Sequence, residues 1–148
     1  MRARDLSAPF PAIRVTEPAA QAARLLAQQN LPGLVVVNES GAPMAVLSGT
    51  QVLRMALPAY CVEDPALARV VDEAAADVFI RGLDGRTVGD CLRAEARELP
   101  VVDPDATVLE IASLMARAGT PLVAVVDEHG RLVGVVTLDA LMDRVTSQ

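Results

Sequence analysis

Shifted by 89 residues, the chain falls on itself without a gap. Pro11 lands on Pro100, Ala23 on Ala112, Leu25 on Leu114, Pro32 on Pro121, Val36 and Val37 on Val125 and Val126, Gly41 on Gly130 and Val46 on Val135. Self-similarity at a fixed spacing means two copies of one structural unit. A unit of about 60 residues buries only about 60% of the surface its unfolded chain exposes and is marginal alone. The two copies must therefore be stabilised by packing on each other, related by a pseudo-twofold axis that creates two equivalent clefts at their junction. Ligand clefts commonly form at such junctions.

Each copy carries the same signals in the same order. Thr16 and Asp105 are candidate N-caps, because their side-chain oxygens can accept from unpaired amides of a first helical turn. Ala19, Ala22, Ala23 and Leu26, matched by Val108, Ile111, Ala112 and Met115, follow helical spacing and predict one buried face. The helices should give way at Asn30 and Gly119. Short runs rich in β-branched residues follow at 34–37 and 123–126, then polar turns at 38–41 and 127–130, then second runs at 44–47 and 132–136, which together predict hairpins. A closing helix is expected near 50–57 and 138–145, and a short strand before each first helix, near 12–14 and 101–103. The fold class expected is α/β, with boundaries at 1–58 for the first repeat, 59–86 for a helical linker and 87–148 for the second repeat. In the linker, Asp64 and Pro65 resemble an N-cap with Pro at the first helical position, and Gly82 marks an expected stop. Leu67, Val70, Val71, Ala74 and Val78 form an apolar stripe, while Arg69 with Glu73 and Asp77 with Arg81 are spaced as pairs on a solvated face.

Composition narrows function. More than half of the 148 residues are apolar, yet only two Phe and one Tyr occur, so Val, Leu, Ala and Ile must fill the core. The formal net charge is −6 and lysine is absent, which argues against a nucleic-acid surface; all 13 basic residues are Arg. Arg can still bind a small phosphate through paired hydrogen bonds. Cys61 and Cys91 form no metal or redox motif and read as reduced, buried thiols, and the lone His129 falls in a predicted turn. Asp139 and Asp143, four apart, read as surface carboxylates. No run of about 18 apolar residues is present to span a membrane, and the amino terminus lacks the apolar stretch of a signal peptide, so a cytoplasmic protein without membrane insertion is expected. No nucleophile with a base and no acid–base pair converge, so an enzyme is not expected.

Residues 122–141, LVAVVDEHGRLVGVVTLDAL, resemble the cystathionine-β-synthase (CBS) repeat: a valine strand, an Asp-x-x-Gly turn, Gly-x-x-Thr and a helix. The first copy follows more loosely, with Asn38, Ala45 and Ser48 at the positions of Asp127, Gly134 and Thr137. The resemblance spans nearly the whole chain and implies a tandem CBS pair, or Bateman module, that is regulatory rather than catalytic. It implies adenosine-containing ligands such as AMP, ADP, ATP or S-adenosylmethionine in the inter-repeat clefts, homodimerisation, and signalling to a separate effector protein.

The same resemblance nominates site residues. Ser48 and Thr137 match the family's hydroxyl position near a ligand phosphate. The family's ribose-binding Asp, three residues on, is replaced by Gln51 and Ala140, and Asp139 stands one residue early, turned by about 100° on a helix. Gln51 is a candidate neutral ribose contact. Ile13, Gly33, Val102 and Leu122 are candidate apolar walls for a base, and equally candidates for the core. A lost hydrogen bond to a charged group, roughly 1.5–3 kcal/mol, weakens a nucleotide about tenfold to a hundredfold or more. The missing aspartates therefore leave an alternative: a dimerisation or interaction scaffold whose clefts hold no ligand.

Overall fold

The computed structural model describes residues 1–57, 59–69, 81–94 and 98–147. In chain order the first half runs α1 (Ala3–Leu6), β1 (Ala12–Arg14), α2 (Ala19–Gln29), β2 (Leu34–Val37), β3 (Pro43–Leu47), α3 (Gly49–Ala56) and α4 (Ala59–Glu63), then a 3-10 turn at Pro65–Arg69. The second half runs α5 (Val88–Ala94), β4 (Val101–Val102), α6 (Val108–Ala118), β5 (Leu122–Val126), β6 (Leu132–Thr137) and α7 (Leu138–Thr146). The expected order of short strand, helix, hairpin and helix is present in both copies. Each forms a three-stranded sheet, β1-β2-β3 or β4-β5-β6, with its first pair parallel and its second antiparallel.

The central strands are apolar on both sides because both sides are covered. In β2, Leu34 and Val36 turn into a cluster with Ala19 and Ala22 of α2 and Val52 of α3, whereas Val35 faces the other way. In β5, Val123 and Val125 meet Ile111 and Met115 of α6 and Leu141 of α7, while Leu122 and Ala124 face the other way. The faces left over meet in a third cluster: Val35, Val46, Leu99, Leu122, Ala124 and Val135 pack together from both sheets. Val35 and Ala124 are 89 residues apart, as are Val46 and Val135, so the interface joins equivalent positions as the repeat requires. Burying a Val or Leu side chain fully contributes about 1.5–3 kcal/mol, and this layer supplies several. The amide of Leu132 also donates to the Gly41 carbonyl, 3.0 Å away, tying one hairpin to the other.

The two hairpins turn by one device in two chemistries. Asp127 Oδ1 accepts from the amides of His129 at 2.8 Å and Arg131 at 3.0 Å, and Asn38 Oδ1 accepts from those of Ser40 at 2.9 Å and Ala42 at 3.0 Å. The Arg131 amide is the chief reason the Asp127 carboxyl is held below the usual carboxylate range; partial burial opposes the shift and the His129 amide adds to it. An amide oxygen makes the same bonds without a charge, which explains why Asn replaces Asp in the first copy. Gly41 and Gly130 follow with φ of 84° and 77°, a region that side chains other than Gly avoid.

Several boundaries differ from expectation. The first helices begin after Pro18 and Thr107, two residues beyond Thr16 and Asp105. Thr107 is the working cap, its Oγ1 accepting from the Glu110 amide at 3.2 Å. Asp105 instead sits in a turn, donating its amide to Asp103 Oδ1 at 2.8 Å, and Thr16 lies in the turn closed by the Glu17 amide on the Arg14 carbonyl. Asn30 and Gly119 do end the helices, both in the left-handed conformation. Gly82 is not a stop: residues 81–83 are helical, and the left-handed residue is Gly85. Gly82 is instead a close-approach site, since a Cβ there would fall 1.9 Å from the Ala56 carbonyl oxygen. Asp64 Oδ1 accepts from the Ala66 amide at 3.1 Å, as a cap before Pro65 should. The side chain of Leu67, residues Val70, Val71, Ala74 and Val78 of the stripe, and the partners Glu73 and Asp77 of the expected charge pairs lie outside the described residues.

The short helices α1 and α5 were not legible in the repeat, and they exchange places. The amide of Ala3 donates to the Ala106 carbonyl at 2.8 Å and that of Arg4 to Pro104 at 3.0 Å, so α1 docks on the second repeat. In the matching positions the amide of Val88 donates to Glu17 at 2.9 Å and that of Gly89 to Val15 at 2.9 Å, so α5 docks on the first. Ala3 and Val88 are wholly buried in the core of the opposite half. The segment after α1 continues as an extra edge against β6, with amide and carbonyl of Ala8 both paired to Val135 at 3.0 Å. Ala3→Asp is therefore expected to cost about 3 kcal/mol by placing a carboxylate in an apolar cluster. Leu109→Asp, at a side chain 77% exposed, is expected to stay within about 0.5 kcal/mol. Urea unfolding of the two variants checks this.

Candidate functional site

The cleft where the repeats meet opens into a cavity of about 380 Å³. The first repeat contributes Pro32, Val46 and Ser48, and the second contributes Glu98 and the run from Ala118 to Pro121. Its first wall is the end of β3 and the amino end of α3. Its second is the carboxyl end of α6, where Gly119 takes the left-handed conformation, and the Met115 carbonyl accepts the amides of Gly119 at 2.9 Å and Thr120 at 3.3 Å. A larger groove of about 860 Å³ lies elsewhere, along Val15, Met44, Thr87 and Leu92, and includes none of the nominated residues.

Ser48 is brought to the cavity, at the start of α3. Its Oγ accepts from the Gln51 amide at 3.3 Å and lies 3.0 Å from Thr50 Oγ1, while Gln51 Oε1 accepts from the Ser48 amide at 2.7 Å. This is a capping box, in which two unpaired donors are satisfied reciprocally. Gln51 is 3% exposed, and its carboxamide oxygen faces back to Ser48. Thr137 does the corresponding work for α7, its Oγ1 accepting from the Ala140 amide at 3.1 Å. Ala140 cannot complete a box, so the second copy has a simple cap. Asp139 lies in the first turn of α7, on the exposed surface.

The remaining nominated residues are spread through the cores. Ile13 belongs to the first core and Val102 to the second, and Leu122 is wholly buried between the sheets. Gly33 is buried against the cavity-lining Val46: a Cβ there would sit 3.0 Å from Val46 Cγ1 and 3.2 Å from the Leu47 carbonyl oxygen. Gly33 and Leu122 are equivalent positions, and the leucine fills with side chain what the glycine leaves as backbone. Sequence reasoning missed Glu98 and the 118–121 segment. The second could have been found from its helix stop, since a left-handed cap turns the chain back toward the next strand. Glu98 precedes a two-residue strand and carries no motif.

The residues set aside as non-catalytic are dispersed. His129 is exposed in its hairpin turn, with Nε2 3.6 Å from Glu128 Oε1. Cys61 and Cys91 are free and buried, and burial pushes the Cys91 thiol up, away from a nucleophilic thiolate. Among the described residues no group of three or more His, Cys, Asp or Glu is placed to hold a metal, no buried side-chain polar atom lacks a hydrogen-bond partner, and no helix is long and apolar enough to cross a membrane.

Two intertwined copies of a strand–helix–hairpin–helix unit, meeting sheet to sheet with a capped helix at the cleft, define a tandem CBS pair. The sequence model of the CBS domain matches residues 3–57 and 88–147, and the chain belongs to that family. It is similar, at 44% identity with 99% of each chain covered and a TM-score of 0.91, to a CBS domain-containing protein of unknown function from Kribbella flavida. CBSX2 in complex with AMP shares the fold at 19% identity and a TM-score of 0.69, over 97% of this chain and 95% of that one. The CBS domain pair of protein MJ0100, solved with 5′-methylthioadenosine and S-adenosyl-L-methionine, does so at 20% identity and a TM-score of 0.64, over 98% of both chains. No protein of curated function matches the chain.

The caps have a measurable weight apart from any ligand. Thr137→Ala is expected to destabilise the protein by about 1 kcal/mol, and Ser48→Ala by somewhat more, because it opens a reciprocal box. Chemical unfolding of both variants reads the difference.

Proposed function

We propose that this chain is a cytoplasmic, non-catalytic sensor. It binds an adenosine-containing small molecule in the cleft between its repeats and passes the state of that cleft to a separate effector protein. The observation that carries the reading is the open cavity of about 380 Å³ bounded by both repeats, with Ser48 at its wall. A ligand touching both walls has a different affinity for each relative placement of the repeats, which is the requirement for a binding event to shift a conformational equilibrium. Membership of the CBS family and the ligands held by CBSX2 and MJ0100 support the ligand class. Ser48 in this cleft and Thr137 in its counterpart are the proposed polar contacts and Gln51 a ribose contact, with Ile13, Gly33, Val102 and Leu122 proposed as apolar walls for a base.

One observation favours a second reading, a scaffold that binds no ligand. The position that holds the family's ribose-binding Asp is Gln51, and its oxygen is committed to the Ser48 cap. Thermal unfolding with AMP, ADP, ATP, S-adenosylmethionine and cyclic dinucleotides at millimolar concentration separates the two. A ligand at 100 times its dissociation constant stabilises by about 2.7 kcal/mol, a rise of several degrees. A rise that is lost in Ala118→Phe, which fills the cavity, establishes the sensor; no rise with any compound leaves the scaffold.

Homodimerisation is part of the proposal. Leu138, Met142 and Val145 form an exposed apolar stripe on α7, and Leu53, the counterpart of Met142, is exposed on α3. Apolar side chains gathered on one helix face suit a second copy better than solvent. Sedimentation over a concentration series is expected to give a dimer, lost in Met142→Glu; a monomer at all concentrations rejects it.

A further inference from the structure

Among the described residues that line the cleft, Glu98 is the one that carries a full charge. Three charges or partial charges among the described residues bear on the cleft. The amino end of α3, at Ser48, contributes roughly half a positive charge, and the carboxyl end of α6, at Ala118 and Gly119, roughly half a negative one. These offset each other and leave the full negative charge of Glu98. No ion pair or hydrogen bond among the described residues neutralises that carboxylate. Arg117 borders an adjoining hollow of about 390 Å³ that Glu98 also lines, yet forms no ion pair with it and does not line the cleft. The repeat offset puts Pro9 where Glu98 stands, so the carboxylate belongs to one of the two equivalent positions and is not required by the shared fold.

We propose that Glu98 makes this cleft a charge filter, admitting an adenosine derivative of net positive or zero charge, such as a sulfonium, and rejecting phosphorylated ones. The inference rests on the adenosine-sensor reading above and narrows its ligand class. A phosphate in the cleft pays repulsion from Glu98 beyond what the α3 terminus returns. A sulfonium-bearing nucleoside with an amino-acid tail has the complementary arrangement, with its cationic centres toward Glu98 and the α6 end, and its carboxylate toward the amino end of α3. Glu98 is exposed, so water and salt moderate the effect, and a preference of about tenfold is the expected scale rather than an absolute barrier.

The test is calorimetric titration of the full chain with S-adenosylmethionine, 5′-methylthioadenosine, AMP and ATP, for the unaltered protein, Glu98→Gln and Glu98→Arg. In the unaltered protein S-adenosylmethionine is expected to bind at least about tenfold more tightly than AMP. Glu98→Gln should shrink that ratio about tenfold, mainly by tightening AMP, and Glu98→Arg should reverse it; the uncharged 5′-methylthioadenosine should change least. Raising the salt concentration should narrow the ratio in the unaltered protein and not in Glu98→Gln. AMP or ATP binding the unaltered protein as tightly as S-adenosylmethionine, or a ratio indifferent to Glu98, overturns the filter and leaves the sensor standing. Failure of all four compounds to bind any of the three proteins overturns the adenosine reading and the filter with it.

Discussion

Three strands make a sheet with two faces, and a repeat of this size has helices enough to cover only one. α2 and α3 hide one side of the first sheet, α6 and α7 one side of the second, and the remaining faces close on each other through Val35, Val46, Leu122, Ala124 and Val135. The rest of the structure depends on this layer. It sets the two helix ends at Ser48 and Gly119 opposite each other, and it explains why the central strands read as unbroken apolar runs instead of alternating. A repeat separated from its twin would expose one whole sheet face, an apolar area that soluble monomers rarely leave to water.

The exchange of α1 and α5 makes the partnership harder to dissolve. Each core is completed by a helix that precedes the other repeat in the chain, with Ala3 and Val88 as the buried plugs. Thr87 and Asp90 cap α5 reciprocally at 2.9 and 3.2 Å, while Arg4 pairs with Asp105 across the corresponding junction. The repeats are thus joined through backbone hydrogen bonds as well as through side-chain packing. In the sensor proposed above, a ligand bridging the cleft would act on two halves joined in this way.

The side chains nominated for recognition all serve the fold. The hydroxyls of Ser48 and Thr137 satisfy amides at the starts of α3 and α7, and Gln51 closes the box around Ser48. The Ser48 hydroxyl is engaged on both sides, accepting from the Gln51 amide and donating to Gln51 Oε1 at 3.1 Å, so a ligand contact there would have to exchange one of these bonds. Gln51 is more constrained: buried at 3% exposure, it holds the helix start in place. The departure from the family's aspartate therefore has a structural return in the first repeat, whereas Ala140 in the second gives only packing.

Local signals were enough for most of the fold. β-branched runs, Asx turns with Gly41 and Gly130, and the helix stops at Asn30 and Gly119 depend on neighbours within a few residues, and the 89-residue offset supplied the duplication. The caps at Pro18 and Thr107 were misplaced by two residues because Thr16, Asp105 and Thr107 all carry suitable oxygens, and the docking of α1 and α5 decides which turn precedes the helix. Ser48 was nominated from the family resemblance, and the structure places it at the wall of the cavity. Glu98 and the wall at 118–121 were not legible, since a cleft is made by segments far apart in sequence that only the sheet-to-sheet contact brings together. The sequence by itself determined the duplicated α/β unit, its hairpins and its family; the tertiary structure decided which helix completes which core and which segments line the cleft, because both depend on long-range packing that no local pattern encodes.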